Sequence, residues 1–254
     1  MGFLSVVGRL SFATFLVSLV TGLVASFGTR FGLWDYHVGL LKIFPFCLYF
    51  GIAAFVLGLA WVGTALIANT AAGARYGLIG FLGAIAVLAV PLSDFAQSYG
   101  TPPIHDISTD TEHAPQFVAL LDQRQGAVNP PDYGGANLVA MNGKTYTTLQ
   151  LQKKYYGDIH SIAILTTPEK LFDRALAAAK AMGWTIVAVA PDEGRIEATD
   201  TSFFFGMTSD IVIRVKPSGM GARVDIRSES RVGNADGGSN AAHIRDFVKR
   251  LLNG

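Results

Sequence analysis

Cysteine is nearly absent from this chain, and charge is missing over long stretches. The single cysteine, Cys47, stands among 254 residues, so no disulfide can form within the chain. An exported domain does not need one, so this leaves the compartment open. Only 15% of the residues are charged, and residues 10–27, 43–67 and 76–90 carry no charged side chain. The ionisable residues up to Val90 are Arg9, Arg30, Asp35, His37, Lys42 and Arg75, all outside those stretches. Proton relays and ion pathways use acids, bases or histidines within a span, and none is here. A net charge of +1, with no basic stripe interleaved with aromatics, gives no case for a nucleic-acid partner. There is no P-loop lysine and no G-x-S-x-G elbow.

The uncharged stretches are what is there instead. The first two are long enough to cross a hydrocarbon core of roughly 30 Å as helices, and the third completes its span with Pro91 and Leu92. Helix is the form that satisfies a lipid-exposed backbone from within. We therefore expect a three-helix transmembrane anchor over residues 1–93. Residues 25–27, Ala-Ser-Phe, lack a small-x-small cleavage pattern, so the first helix is expected to be retained. Arg9 and Arg75 fall on one side, Arg30 and Lys42 on the other, and the positive-inside count is tied. Because Arg9 and Arg75 flank their helices tightly, the expectation is N-terminus inside and C-terminal domain outside. Phe31, Trp34 and Tyr36 sit beside Arg30 as headgroup-level aromatics do. Small residues at four-residue spacing, Ala54 with Gly58, Ala60 with Thr64 and Ala68, and Gly80 with Ala84, suit close helix contacts within the chain or in a homo-oligomer.

Residues 94–165 turn to Pro, Gly and Asn, with turns at Pro102-Pro103, Asn129-Pro130-Pro131, Gly134-Gly135 and Asn142-Gly143. Tyr133, Tyr146, Tyr155 and Tyr156 argue that this segment packs on the domain that follows. Within it, one helical turn near residues 118–121 and a short strand over 145–151 are expected. Residues 166–254 read as an α+β two-layer domain. Thr167, Pro168 and Glu169 start a helix whose Leu171, Ala175, Ala178 and Met182 share a face, and Gly183 ends it. Period-two patterns with short turns then give an antiparallel sheet of four strands. Ile244, Phe247, Val248, Leu251 and Leu252 make the stripe of a final helix from near Ser239, so both helices cover one sheet face.

The string Arg227-Ser228-Glu229-Ser230-Arg231-Val232-Gly233, followed by Asp236, Gly238, Asn240, Ala241, Ala242, Ile244, Arg245 and Phe247, resembles the bacterial family catalogued as domain of unknown function 1499. So do residues 102–110, Pro-Pro-Ile-His-Asp-Ile-Ser-Thr-Asp, along with Asn129-Pro130, Tyr133 and residues 155–159, Tyr-Tyr-Gly-Asp-Ile. Gly157 and His160-Ser161 depart from its pattern. The resemblance covers residues 101–252 and implies a bacterial protein, but carries no activity with it.

Three groups of residues can carry chemistry. His105, Asp106, Asp110, Glu112 and His113 crowd one polar stretch, where imidazoles and carboxylates suit a metal or acid–base work; equally, Asp side chains cap loops of this kind. Their spacing matches no zinc or calcium motif, and no metal or cofactor is expected. Alternation puts Arg223, Asp225, Arg227, Glu229 and Arg231 on one strand face. This ladder reads either as a network tying sheet to loop or as a site for a carboxylate or phosphate, completed by Asp236, Asn240 and Arg245 at the last helix. Phe203-Phe204-Phe205 cannot all face one core, so at least one ring is expected at a partner surface, a headgroup layer or beneath the middle segment. The favoured reading is a multi-pass inner-membrane protein whose periplasmic domain is a non-enzymatic binding or accessory module. Its ligand or partner residues would be Arg227, Arg231, Asp236, Asn240, Arg245, His105, Asp106 and Asp110, and its partners the lipid bilayer and a protein or amphiphile. The alternative is a membrane-tethered hydrolase or metal-dependent enzyme using His105 and Asp106 with Arg227 and Arg231.

Overall fold

The computed structural model describes residues 2–253. The chain divides into two compact units, Met1–Ala96 with Phe203–Gly206, and Gln97–Ser202 with Met207–Gly254. Each is described by itself.

The anchor unit contains helix α1 (Phe3–Arg30), a π-helical turn (His37–Ile43) running into α2 (Phe44–Ile67), and most of α3 (Ala74–Ser98). All three helices are long and apolar enough to cross a membrane. Pro91 lies inside α3, which continues through it to Ser98. Ser11 and Ser18 of α1 are buried, and each hydroxyl finds a backbone oxygen of α2: Ser11 donates to Ala54 at 2.9 Å, Ser18 to Cys47 at 2.7 Å. The small residues divide by face. Ala54, Gly58, Gly80 and Ala84 are buried, and a Cβ on Gly58 or Gly80 would collide with Phe81 or Ser11. Ala60, Thr64 and Ala68 face outward instead, and the Thr64 hydroxyl bonds back to the Ala60 carbonyl.

The second unit is built on one antiparallel sheet. Its strands are β1 (Asp106–Ser108), β4 (Ile162–Ile164), β5 (Thr185–Ala190), β6 (Arg195–Thr201), β7 (Thr208–Ser218) and β8 (Gly221–Ser230). The order is β1-β8-β7-β6-β5, with β4 also pairing β8. The sheet thus has six strands where four were expected. Strands β1 and β4 are three residues each, too short to show a period, and both come from the turn-rich segment. A separate hairpin of β2 (Leu138–Met141) and β3 (Lys144–Thr147) turns through Asn142 and Gly143, both at positive φ, 52° and 73°. That geometry explains the Asn-Gly pair. Strand character ends at Thr147, where a capping box with Gln150 starts α4 (Thr148–Tyr155), so a helix occupies most of the expected strand 145–151. The expected turn near residues 118–121 is a 3₁₀ turn at Leu121–Gln123.

Helices α5 (Pro168–Ala181) and α6 (Ser239–Asn253) cover one sheet face. Thr167 caps α5, and Gly183 follows it at φ 80°. Leu171, Phe172, Ala175, Ile244, Phe247 and Leu251 pack on Ile196, Ile211, Ile213, Val224 and Ile226. Trp184 stacks on Phe247, which is fully buried and contributes roughly 2–3 kcal/mol. Leu252, placed on this stripe by periodicity, is exposed.

Candidate functional site

The opposite sheet face is ionic and largely buried. Alternation along β8 sends Arg223, Asp225, Arg227 and Glu229 to this side, and register sets them beside Arg214 and Asp210 of β7. Asp106 of β1 lies opposite Glu229. The chain between β1 and β2 supplies the lid, in which Phe117 and Leu120 pack on Val212. Glu197 of β6 ties that lid down. Its carboxylate accepts the backbone N–H groups of Val118, Ala119 and Leu120 at 2.8–3.1 Å, and pairs with Arg195.

Arg227 is the centre of this face and is 0% exposed. Its Nε donates to Asp106 Oδ1 at 2.8 Å, and its Nη2 to Asp106 Oδ2 at 3.0 Å and Glu229 Oε2 at 3.1 Å. Its Nη1 donates to the Pro131 carbonyl at 2.9 Å and, more distantly, to that of Pro115 at 3.5 Å. All five donors are engaged, and the guanidinium lies 4.7 Å from the Phe117 ring centre. Arg231 grips Asp210 through Nε and Nη2 at 2.8–3.1 Å, and donates through Nη1 to the Gln123 carbonyl. Arg124 bridges Asp210 and Glu229. Three arginines therefore meet three acids. A second balanced set pairs Arg214 and Arg223 with Asp110 and Asp225.

The electrostatics follow from burial. Desolvation, and then the neighbouring Asp106 charge, push Glu229 up to about 8 against the pull of Arg227 and Arg124. Burial alone would raise Asp110, yet the N–H groups of His113 and Glu112, with Arg214 and Arg223, hold it below the ordinary carboxylate value. Burial raises Tyr133, which lies over Arg227.

The family "Protein of unknown function (DUF1499)" matches residues 106–251, more than half of the chain. The chain belongs to the DUF1499 family. No curated protein matches the sequence. The matched DUF1499 region begins at Asp106 and takes in the whole ionic face.

The crowded stretch 105–113 does not converge. Asp106 belongs to Arg227. Asp110 belongs to Arg214 and Arg223, and its other oxygen accepts the N–H groups of Glu112 and His113. His105 comes no closer than 3.5 Å to the Asn234 carbonyl, and His113 is exposed. Among the described residues no three His, Cys, Asp or Glu side chains are grouped to hold a metal.

The residues expected at α6 fall into two places. Asp236 caps the helix, accepting the N–H groups of Gly238 at 2.8 Å and Asn240 at 2.9 Å, so the DUF1499 domain supplies its own anion there. Burial raises the Asp236 carboxyl, and these bonds oppose it. Asn240 is fully buried; it donates to the His105 carbonyl at 2.8 Å and Ser230 Oγ at 2.9 Å. Arg245 lies elsewhere, in an exposed side-on pair with Asp158 at 2.6 and 2.7 Å.

Folding also creates a constellation that no motif announces. Ser228 Oγ lies 3.1 Å from His243 Nδ1, and His243 Nε2 lies 3.1 Å from Asp200 Oδ2. It has the composition of a nucleophilic triad without the proton path. Asn240 turns its oxygen to Ser228, because its nitrogen donates elsewhere, so the Ser228 proton goes to Asn240 Oδ1 at 2.7 Å. The serine proton therefore points away from His243. Ser228 is also 0% exposed. Between α5 and α6 lies an open groove of about 690 Å³. Ala181, Met182 and Leu251 are among its apolar lining, and Arg174, Lys249 and Arg250 are its cations.

Proposed function

We propose that this DUF1499 protein is a bacterial inner-membrane protein presenting a non-enzymatic, extracytoplasmic binding or accessory domain to a partner protein or an amphiphile. The observation that carries the reading is the engagement of the central arginines of the ionic face within the fold itself. Arg227 and Arg231 spend their donors on Asp106, Asp210, Glu229 and backbone carbonyls, and the lid closes over them. The residues that look most like chemistry hold lid to sheet, which leaves outer surfaces for recognition. The α5–α6 groove suits an amphiphile with an anionic head, having an apolar floor and three cations to the one acid, Asp246. The outward face of Ala60, Thr64 and Ala68 suits a second copy of the chain.

The test is co-purification of the full chain from native membranes in mild detergent, with mass spectrometry of bound lipid and protein. A stoichiometric lipid or protein, lost in a Lys249→Glu/Arg250→Glu variant, is the expected result for the groove. Elemental analysis of the same preparation reads the competing case, since stoichiometric metal would replace this reading with a metal-dependent enzyme.

A further inference from the structure

The Phe203–Gly206 tip between β6 and β7 belongs to the anchor unit. There the Phe27 ring of α1 stacks on Phe31 and meets Phe203 and Phe204 edge-on, at centroid distances of 6.0, 5.8 and 6.5 Å. Arg30 Nη1 donates to the Phe203 carbonyl at 3.0 Å, and its guanidinium lies 5.9 Å from that ring. Phe205 turns the other way, setting its ring edge-on to Phe44 at 5.4 Å and donating its N–H to Ser26 Oγ at 3.2 Å. Turning the rings apart strains the backbone. Phe205 has φ 61° and Gly206 φ 64°, and a bulky residue in the left-handed region costs about 1–3 kcal/mol. The contacts of Phe205 offset that strain, and its neighbours are left facing out. Phe203 is 66% exposed and Phe204 44%.

Those rings extend an exposed apolar surface on a helix long and apolar enough to span. Along α1 the exposed side chains Val17, Val20, Leu23 and Val24 lead to Phe31 and Leu33, both exposed, at the end of the span. The tip carries no acid, and Arg30 sits among its rings. Aromatic rings beside a cation, at the end of an apolar helix, fit the headgroup layer of a bilayer. We propose that the Phe203–Gly206 tip is a membrane-inserting element, with the Phe203 and Phe204 rings in the headgroup layer at the Arg30 end of α1. Continuity with the exposed apolar side of α1 favours lipid over a protein partner as the occupant.

The experiment uses the full chain with Cys47→Ala, reconstituted in nanodiscs of phosphatidylcholine and phosphatidylglycerol. Nitroxide labels go at Phe203→Cys, Phe204→Cys and, as the aqueous reference, Met220→Cys on the β7–β8 turn, where Met220 is 94% exposed. Power saturation with oxygen and a water-soluble nickel chelate reads depth. The expected result is an oxygen-to-nickel access ratio at 203 and 204 clearly above that at 220. Labels at 203 and 204 that match 220 overturn the proposal, and so do labels shielded from both reagents, which would mark a protein-covered tip. Should a cysteine variant fail to fold, Phe203→Trp and Phe204→Trp in brominated-chain lipids give the same decision. Quenching of the added fluorescence supports insertion, and unquenched fluorescence overturns it.

Discussion

Arg227 and Asp106 meet side-on across the β8–β1 ladder, Nε to Oδ1 at 2.8 Å and Nη2 to Oδ2 at 3.0 Å, with neither side chain more than 3% exposed. A planar fork makes this contact and a lysine ammonium cannot. Arg227→Lys should therefore destabilise the protein by about 2 kcal/mol, lowering its melting temperature by several degrees. Asp106→Asn, which leaves a buried guanidinium short of charge, should cost more, about 3 kcal/mol. The double variant Arg227→Met/Asp106→Leu, which removes both charges, should lie closer to the parent than Asp106→Asn alone. Melting curves of all four proteins check this, and an unchanged Arg227→Lys melting temperature would remove the structural role assigned to the pair.

A second expectation concerns pH. Glu229 is raised from 4.5 to about 8, first by burial and then by Asp106. Between those values the folded protein holds a proton that the unfolded chain has released. Stability then falls as pH rises through this window, by at most about 1.4 kcal/mol per pH unit, and levels off above it. Asp110, Asp158 and Asp200 are lowered, so their contributions are lost only in acid, as pH falls through their folded values. Glu229→Gln should flatten the melting temperature between pH 5 and 8. An equal slope in both proteins would assign the proton elsewhere.

Asn240 joins three elements, donating to the His105 carbonyl and Ser230 Oγ while accepting from Ser228. Asn240→Ala removes three buried hydrogen bonds at once and should cost about 3 kcal/mol, whereas Ser228→Ala should cost about 1 kcal/mol. Chemical denaturation of the two variants gives the ranking. An ester hydrolysis activity abolished by Ser228→Ala or His243→Gln would contradict the proton path described above and restore a nucleophilic role.

Elements with a sustained period were legible. The three apolar stretches, the Thr167–Pro168 helix start, the hairpin strands and the α6 stripe all announce themselves in eleven or more residues or in turn chemistry. What stayed hidden lies where period fails. Strands β1 and β4 have three residues each and exist because β8 offers them an edge. Alternation put Arg227 and Glu229 on one face and offered a network tying sheet to loop, but it did not show the burial of that face. Only the lid makes it buried, and the lid's own contribution, Arg124, sits in a turn with no pattern. Asp210 pairs with Arg124 and Arg231, and Glu197 with the lid backbone, partners that strand alternation does not assign. The Ser228–His243–Asp200 arrangement comes from β8, α6 and β6, so no spacing could show it.

Orientation is the last expectation. The chain has three helices long and apolar enough to span, and with all three crossing, the N-terminus and the residues beyond α3 are expected on opposite faces. Arg9 and Arg75 then share one side, Arg30 and Lys42 the other, so a simple count is tied. Arg75 is the second residue of α3 and Arg9 lies within the first two turns of α1, and we take their end as the cytoplasmic one; Arg30, the last residue of α1, and Lys42, in the turn that runs into α2, flank their helices as closely. Long domains translocate largely regardless of their own charge, so the arginines of the sheet unit do not count against this. A phosphatase reporter fused after Gly254 should be active, and one inserted at Gly73 inactive, with a fluorescent cytoplasmic reporter giving the reverse. A C-terminal fusion active only in the cytoplasm would invert the orientation, and with it the extracytoplasmic setting proposed for the DUF1499 domain.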